Sequence, residues 1–406
     1  AGSMRCALSL PGKMMGYAAL GEPREEWIAP MRNFLRHSES WIRLAWAPSW
    51  PYNQHVFWGR ASRSDDWARG MTRDDVWRHF PYSSNGSTIK EQRDLAATVQ
   101  RAFQLEVLSL LEPFFLGGDA AYDGVVLVGG CALNVLANSA VEARFGLPVY
   151  VPAAPNDSGL SVGGAWLLTP PRRRQPLQYT GPPLFDEAEK FDLMKTVGEN
   201  FTISTELDVT KLAEKLSKQN FVLGVAIGRA EFGPRALGHR SLLAWPTPEM
   251  KDRLNVIKHR EWWRPCAPVV AVEDSGRVFK RPPRHATFMS FAPELTDEAR
   301  AMLPAIDHGG TARVQIVTRE DDPWLHALLL AVKKITGWAV LINTSFNSRG
   351  KPILNTNRVA IDLLRDTEID AILLNDGILI SKHREAGPNV AAASGARGAP
   401  DDVNSE

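Results

Sequence analysis

Short apolar runs, most of them ending at a glycine or a polar loop and separated by helical patterns, constrain this chain most. Gly124–Val128, Phe221–Ile227, Ala339–Asn343 and Ala371–Leu374 are too short to pay for a helix and hold almost no polar residues. Such runs read as strands covered on both faces. Pro148–Val151 and Ala312–Val317 read as further strands, and Trp263–Val272 as a loop followed by one. Helical spacing appears over 88–114, where Leu95, Val99, Phe103, Val107, Leu110 and Leu111 recur behind the cap residues Ser87 and Thr88. It appears again over 132–144, 161–167, 209–218, 251–258, 323–336 and 358–367. Strands alternating with helices make the chain α/β.

The length of 406 residues suits two or three domains. Lys and Arg number 47 against 46 Asp and Glu, so the net charge of +1 argues against a general polyanion binder and no nucleic-acid partner is expected. The three cysteines, Cys6, Cys131 and Cys266, are far apart and form neither a CxxC pair nor a zinc-type cluster. A reducing, cytoplasmic setting is expected. No apolar stretch is long enough to span a membrane, and no membrane partner is expected. Ala1–Met4 reads as an expression remnant before an initiator methionine, with no signal peptide after it. Residues 5–85 are irregular and hold seven of the thirteen tryptophans. Short helices are expected at Glu26–Phe34 and Asp65–Phe80, and the aromatic rings serve equally as packing or as the wall of an organic-substrate pocket. Prolines and arginines from Pro170 onward lead into a linker at 186–199, and the tail at 386–406 is expected to be disordered.

Four segments carry candidate chemistry. In Gly129-Gly130-Cys131-Ala132-Leu133-Asn134, glycines admit a ligand to the backbone and the following helix offers free N–H groups. A bare strand-to-helix turn fits as well. Asp157, in Asn156-Asp157-Ser158-Gly159, is either a phosphate-bridging metal ligand or a helix cap. The strongest segment is cationic. Arg229, Arg235, His239 and Arg240 flank Glu231-Phe232-Gly233-Pro234, followed by Lys258, His259, Arg260, Arg264 and, further on, Arg313. Cations this dense with few acids suit phosphate or carboxylate oxygens. The fourth, Asn343–Pro352, offers hydroxyls and amides at a strand end through Asn343, Ser345 and Asn347, without the order of a P-loop. No Ser-His-Asp set assembles, and Cys131 has no evident histidine partner.

Taken together, these motifs resemble the O-carbamoyltransferases of antibiotic and nodulation-factor biosynthesis. The resemblance runs from about residue 10 to 382 and includes Glu231–Ser241, Trp263–Pro268 and Asn343–Asn347. It implies a partial actin/sugar-kinase-like domain over 5–185, similar to the threonylcarbamoyl transferase of tRNA modification. A twisted α/β domain similar to the threonylcarbamoyl-adenylate synthase then follows over 200–385. It implies ATP and carbamoyl phosphate as co-substrates, a carbamoyl-adenylate intermediate, and transfer to a hydroxyl of a small-molecule natural product. By the same resemblance, Lys258, Arg260 and Arg264 hold the phosphates, with Arg235, His239 and Arg240 in the signature turn of that domain. Ser345 and Asn347 lie on the nucleotide side with Asn343 and Arg313, Gly129, Gly130 and Asn134 on the adenosine side, and Asp157 binds a metal, iron or magnesium.

Family members carry a longer N-terminal stretch with the first lobe and a metal-binding histidine pair, and neither is found in this sequence. The transfer site is therefore expected to be incomplete or completed by a partner, which could be a second copy, while the adenylate-forming half is expected to be whole. An adenylate-forming enzyme with another acceptor, such as an amine, and a non-catalytic nucleotide-binding subunit are the alternatives.

Overall fold

The computed structural model describes residues 13–32, 35, 88–116, 122–173, 176–185, 197, 200–218, 220–348 and 351–383. The expected helix at Asp65–Phe80, nearly all of the 186–199 linker and the 386–406 tail lie outside them.

An eight-stranded sheet fills the second half of the chain, in the order β3-β10-β9-β4-β5-β8-β6-β7. Its strands are β3 (Phe201–Ser204), β4 (Val222–Ala226), β5 (Arg240–Ala244), β6 (Ala267–Ala271), β7 (Gln315–Val317), β8 (Val340–Ser345), β9 (Ala371–Leu374) and β10 (Leu379–Lys382). Pairing is mixed: β4 runs parallel to β9 and β6 to β7, while β5 is antiparallel to β4 and β8. β4, β5, β6 and β9 are buried at every position, and β8 up to Asn343, because helices cover both faces. On one face α4 (Val209–Lys218) and α6 (Pro323–Thr336) pack Leu212, Leu216, Leu325 and Leu329 onto Leu223, Val225, Leu243 and Leu341. On the other, α5 (Met250–Ile257) and α7 (Asn357–Asp366) cover Leu242, Val270, Ile342 and Ile372.

Three strands escape the sequence reading. β5 begins with Arg240 and Ser241, and β3 and β10 sit towards the edge with half-exposed patterns, so their periodicity is weak. Gly224 explains a packing detail at the centre: a Cβ there would lie 2.6 Å from the ring of the fully buried Phe346.

The first region is smaller. Helix α1 (Ile89–Phe115) starts at a capping box formed by Thr88 and Glu91. β1 (Val125–Val126), α2 (Val135–Phe145) and β2 (Val149–Tyr150) form a strand–helix–strand unit with the strands parallel. α3 (Leu160–Leu168) follows. Here burial departs from expectation. The apolar stripe of α1 is only half-buried, and Leu110 is exposed. Its buried side is polar instead: Asp94 binds Arg24 and Lys90, and Glu106 binds Arg32. Val126 and Val128 of the expected buried strand are 66% and 67% exposed. α3 is apolar, yet none of its residues is buried. A helix apolar on all sides belongs in an interior, so this face lacks its cover among the described residues. No described helix is long and apolar enough to cross a membrane.

Gly224→Ala should destabilise the chain by about 1–3 kcal/mol through overpacking against Phe346, read as a lower urea midpoint. By contrast, Leu167→Asp should change stability by less than about 0.5 kcal/mol, because that side chain is already in water.

Candidate anion-binding site

The turn from Ile227 to His239 links β4 to β5 at one end of the sheet, where Ala226 pairs with Arg240. Glu231 holds it together. One carboxylate oxygen accepts the backbone N–H groups of Leu237, His239 and Arg240 at 2.7, 2.9 and 3.1 Å. Gly233 and Gly238 have φ of +116° and +128°, which bulkier residues resist. Arg240 is fully buried and donates to the carbonyls of Ile227, His239 and Gly228. Asn343 is fully buried as well and donates to Gln315 at 2.7 Å, while Gln315 donates to the Leu237 carbonyl at 2.7 Å. Arg240 and Asn343, both expected at the ligand, are thus spent on the scaffold, because the strand register turns them inward.

The other cations converge. A cavity of about 290 Å³ has Arg260, Arg264 and Arg313 on one wall and Gln100, Arg101 and Gln104 of α1 on the other. Burial and the neighbouring charges of Arg235, Arg260 and Arg264 hold the Arg313 guanidinium far below its ordinary value. Burial, then Arg264, pulls Arg235 down too. The guanidinium groups of Arg235 and Arg313 have no partner among the described residues, and Arg313 Nε is buried without one. Arg260 bonds Asn255 Oδ1 and Cys266 Sγ. Among the described residues Glu261 pairs with this set: it binds Lys13 at 2.6 Å and lies 3.9 Å from Arg264. Like charges so incompletely compensated favour an anion.

Lys258 stands behind this wall at the end of α5. It donates to Ser345 O, to Asn347 Oδ1 at 2.7 Å and to Asn347 O at 3.2 Å, with Ser345 Oγ at 3.3 Å. Lys258, Ser345 and Asn347 therefore meet. Burial, then Arg260 and Arg264, pushes the Lys258 ammonium down to about 7, while the oxygens around it favour its charged form. Tyr179 stacks on His239 at 3.6 Å beside this turn.

In the first region, Gly129 (φ +90°) donates its N–H to the Pro155 carbonyl at 2.7 Å, so the glycine turn and the Asp157 loop are neighbours. A Cβ on Gly129 or Gly130 would meet nothing within 4 Å, leaving that backbone open. Asn134 caps α2 through Ala137 N and forms a reciprocal amide pair with Gln100. Gln100 and the neighbouring Val135 line the cavity, which connects this motif to the cations. Asp157 is exposed at the start of a short 3-10 turn. Among the described residues, no group of three His, Cys, Asp or Glu side chains could hold a metal. Asp157 alone does not fit one.

Against known sequences, the family model described as Carbamoyltransferase N-terminus matches residues 2–166, and Carbamoyltransferase C-terminus matches residues 213–382. The chain belongs to the carbamoyltransferase family. It is similar to nodulation protein NolO of Bradyrhizobium diazoefficiens, 34% identical over 70% of this chain and 54% of the relative. Nodulation protein NolNO of Sinorhizobium fredii is 32% identical over 74% of this chain and 45% of its own. Nodulation protein U of Rhizobium tropici is 35% identical over 64% and 44%. The chain thus spans about half the length of the curated relatives it matches. The cavity lies where residues of the N-terminal family region meet residues of the C-terminal one.

The sequence reading did not single out Gln100, Gln315 or Tyr179. Gln315 carried a usable signal, a polar residue inside the apolar run Val314–Val317, which marks a buried hydrogen bond.

Glu231→Gln should cost about 1.5–3 kcal/mol, the range for hydrogen bonds to a charged group, measured by denaturant unfolding. Lys258 yields a pH signature. Between about 7 and about 10 the unfolded chain holds a proton at this residue that the folded chain has lost, so anion-free stability should rise with pH across that window. Sulfate stays divalent there, and the charged ammonium adds to the positive potential of Arg260 and Arg264 beside it. Sulfate affinity should therefore fall between pH of about 6 and 9, by calorimetry, and should fall much less in Lys258→Gln.

Proposed function

We propose that the protein is an ATP-dependent O-carbamoyltransferase whose 200–385 region forms carbamoyl-adenylate. The observation that carries this reading is the set Arg101, Arg260, Arg264 and Arg313 lining one cavity, with Arg235 close enough to add its charge and Glu261 the carboxylate beside Arg264. Substrates with several phosphates supply the charge that this set lacks.

In the proposed reaction, water takes the phosphoryl group of carbamoyl phosphate, leaving carbamate and inorganic phosphate. A carbamate oxygen then bonds to the α-phosphorus of ATP, the α–β bridging bond breaks, and diphosphate leaves. The cations stabilise charge on the phosphoryl oxygens as it shifts. Lys258 fixes the Ser345–Asn347 loop against the same phosphates. The intermediate passes along the cavity towards the Gly129–Asn134 turn. There an acceptor hydroxyl oxygen attacks the carbamoyl carbon, AMP leaves, and the hydroxyl proton goes to solvent. No step is derived through a metal, because Asp157 has no companion ligands among the described residues. A small-molecule natural product is the proposed acceptor and the cytosol the proposed setting. The exposed apolar faces of α3 and β1 fit cover from a partner chain or a second copy that completes the transfer region.

Labelled diphosphate should exchange into ATP only when carbamoyl phosphate is present. Arg313→Ala should lower that exchange by about 10²-fold or more, with a far-UV spectrum unchanged. Sulfate binding without any exchange would leave a non-catalytic nucleotide-binding subunit. Exchange with transfer to amines alone would overturn the hydroxyl acceptor.

A further inference from the structure

Residues 167–212 lie between the two family matches, and no role attaches to them from either. Part of this stretch is nevertheless zipped onto the turn that carries Arg235. Phe232 N donates to Gln178 O at 2.9 Å, Gly181 N to Ala230 O at 3.0 Å, and Ala230 N to Pro182 O at 2.9 Å. Arg229 reaches the Thr180 carbonyl at 3.2 Å. The approach is so close that a Cβ on Gly181 would lie 2.7 Å from Ala230 O and 2.9 Å from Glu231 O.

Tyr179 is the side chain that this segment delivers. Its ring stacks on the His239 imidazole at 3.6 Å with 8° between planes. Its hydroxyl is 3.1 Å from both the Leu237 carbonyl and Asp322 Oδ2. Leu237 is the residue whose carbonyl also takes Gln315 and whose N–H binds Glu231. The second face of the histidine site is set too: Nδ1 lies 2.7 Å from the Arg229 carbonyl, which can only accept, so Nδ1 carries the hydrogen. Nε2 then lies 3.8 Å from Asp322, beyond a hydrogen bond. Burial and the charges of Asp322 and Glu231 keep the Tyr179 phenol protonated as a donor.

We infer that Tyr179 is a positioning residue of the anion site, and that the inter-region segment around it braces the turn behind that site rather than serving as a tether. The Tyr179 ring fixes the plane of His239, and through it the turn that presents Arg235. The inference rests on the proposed anion-binding role of the cavity, and its test separates the two.

The full chain is labelled in its histidine rings and followed by NMR, by sulfate titration and by diphosphate exchange. Stacking places the His239 Cε1–H resonance upfield, assigned by its loss in His239→Gln. Tyr179→Phe should keep that shift and hold sulfate affinity within about threefold of the parent, because the stack survives. Tyr179→Leu should abolish the shift, weaken sulfate about tenfold and lower kcat for exchange more than it raises KM for ATP, as misplacement of a binding group does. Its loss should be small when His239 is already Gln, since both changes break one coupled unit. Gly181→Ala, which leaves both rings intact, should weaken sulfate in the same direction and serves if Tyr179→Leu does not fold. Parent-like sulfate affinity in both Tyr179→Leu and Gly181→Ala overturns the inference, as does an equal, additive loss in the His239→Gln background. A parent chain that binds sulfate but shows no exchange defeats the carbamoyl-transfer reading while the sulfate comparison still decides the role of Tyr179.

Discussion

Repulsion among closely set, part-buried cations is the constraint on which the rest of the structure depends. Burial first, then neighbouring arginines, holds Arg235, Arg260 and Arg313 below their ordinary values, with Arg264 among the charges acting on each. A protein that merely needed stability would place carboxylates among them. Here the supporting groups are mostly neutral or already committed. Asn255 holds Arg260, and Glu231 spends its charge on backbone N–H groups. Glu261 is tied to Lys13. The cations are fixed with little neutralisation, an arrangement that the proposed anionic substrate would relieve.

The same constraint explains how the two regions meet. One apolar cluster runs across the join, with Val141, Val149 and Val151 packed among Val278, Phe291 and Val314, and polar contacts fix its register. His308 faces the Gly16 carbonyl at 2.6 Å, and Asn138 donates to Ser290 O at 2.9 Å. Gly233 packs on the Ala153 carbonyl so closely that no Cβ fits between them. The residues that close the cavity are thus held from both sides. The outer face of the first region is different, with α3 and β1 left in water. Core formation is finished around the cations and unfinished away from them.

Most of the second-region architecture is legible in the sequence, because α6 and α7 carry clear helical periods and the runs at β4, β8 and β9 are buried on both faces. Legibility fails where tertiary context outweighs pattern. The stripe on α1 is a true helical period, yet Asp94 and Glu106 are buried in its place because Arg24 and Arg32 pair with them. β5 is hidden because its opening residues look like part of a ligand motif. The convergence of Lys258 with Ser345 and Asn347 is legible as separate polar motifs at strand and helix ends, whereas the cavity that joins Gln100 to Arg313 depends on the packing of α1 and has no local signature.

Arg235 and Arg240 show why residue type alone could not divide ligand contacts from scaffold. They sit five positions apart in one turn, with the same guanidinium and the same basic neighbours. Arg240 opens β5 and pairs with Ala226, so its side chain folds under the turn and its donors meet three carbonyls. Arg235 follows Pro234 in the same turn, and its guanidinium has no partner among the described residues. Burial and the like charge of Arg264 both act against its proton. One arginine closes the neck so that the other can stay unpaired. The buried hydrogen bonds of Arg240 fix the turn that holds the Arg235 guanidinium beside its like-charged neighbours.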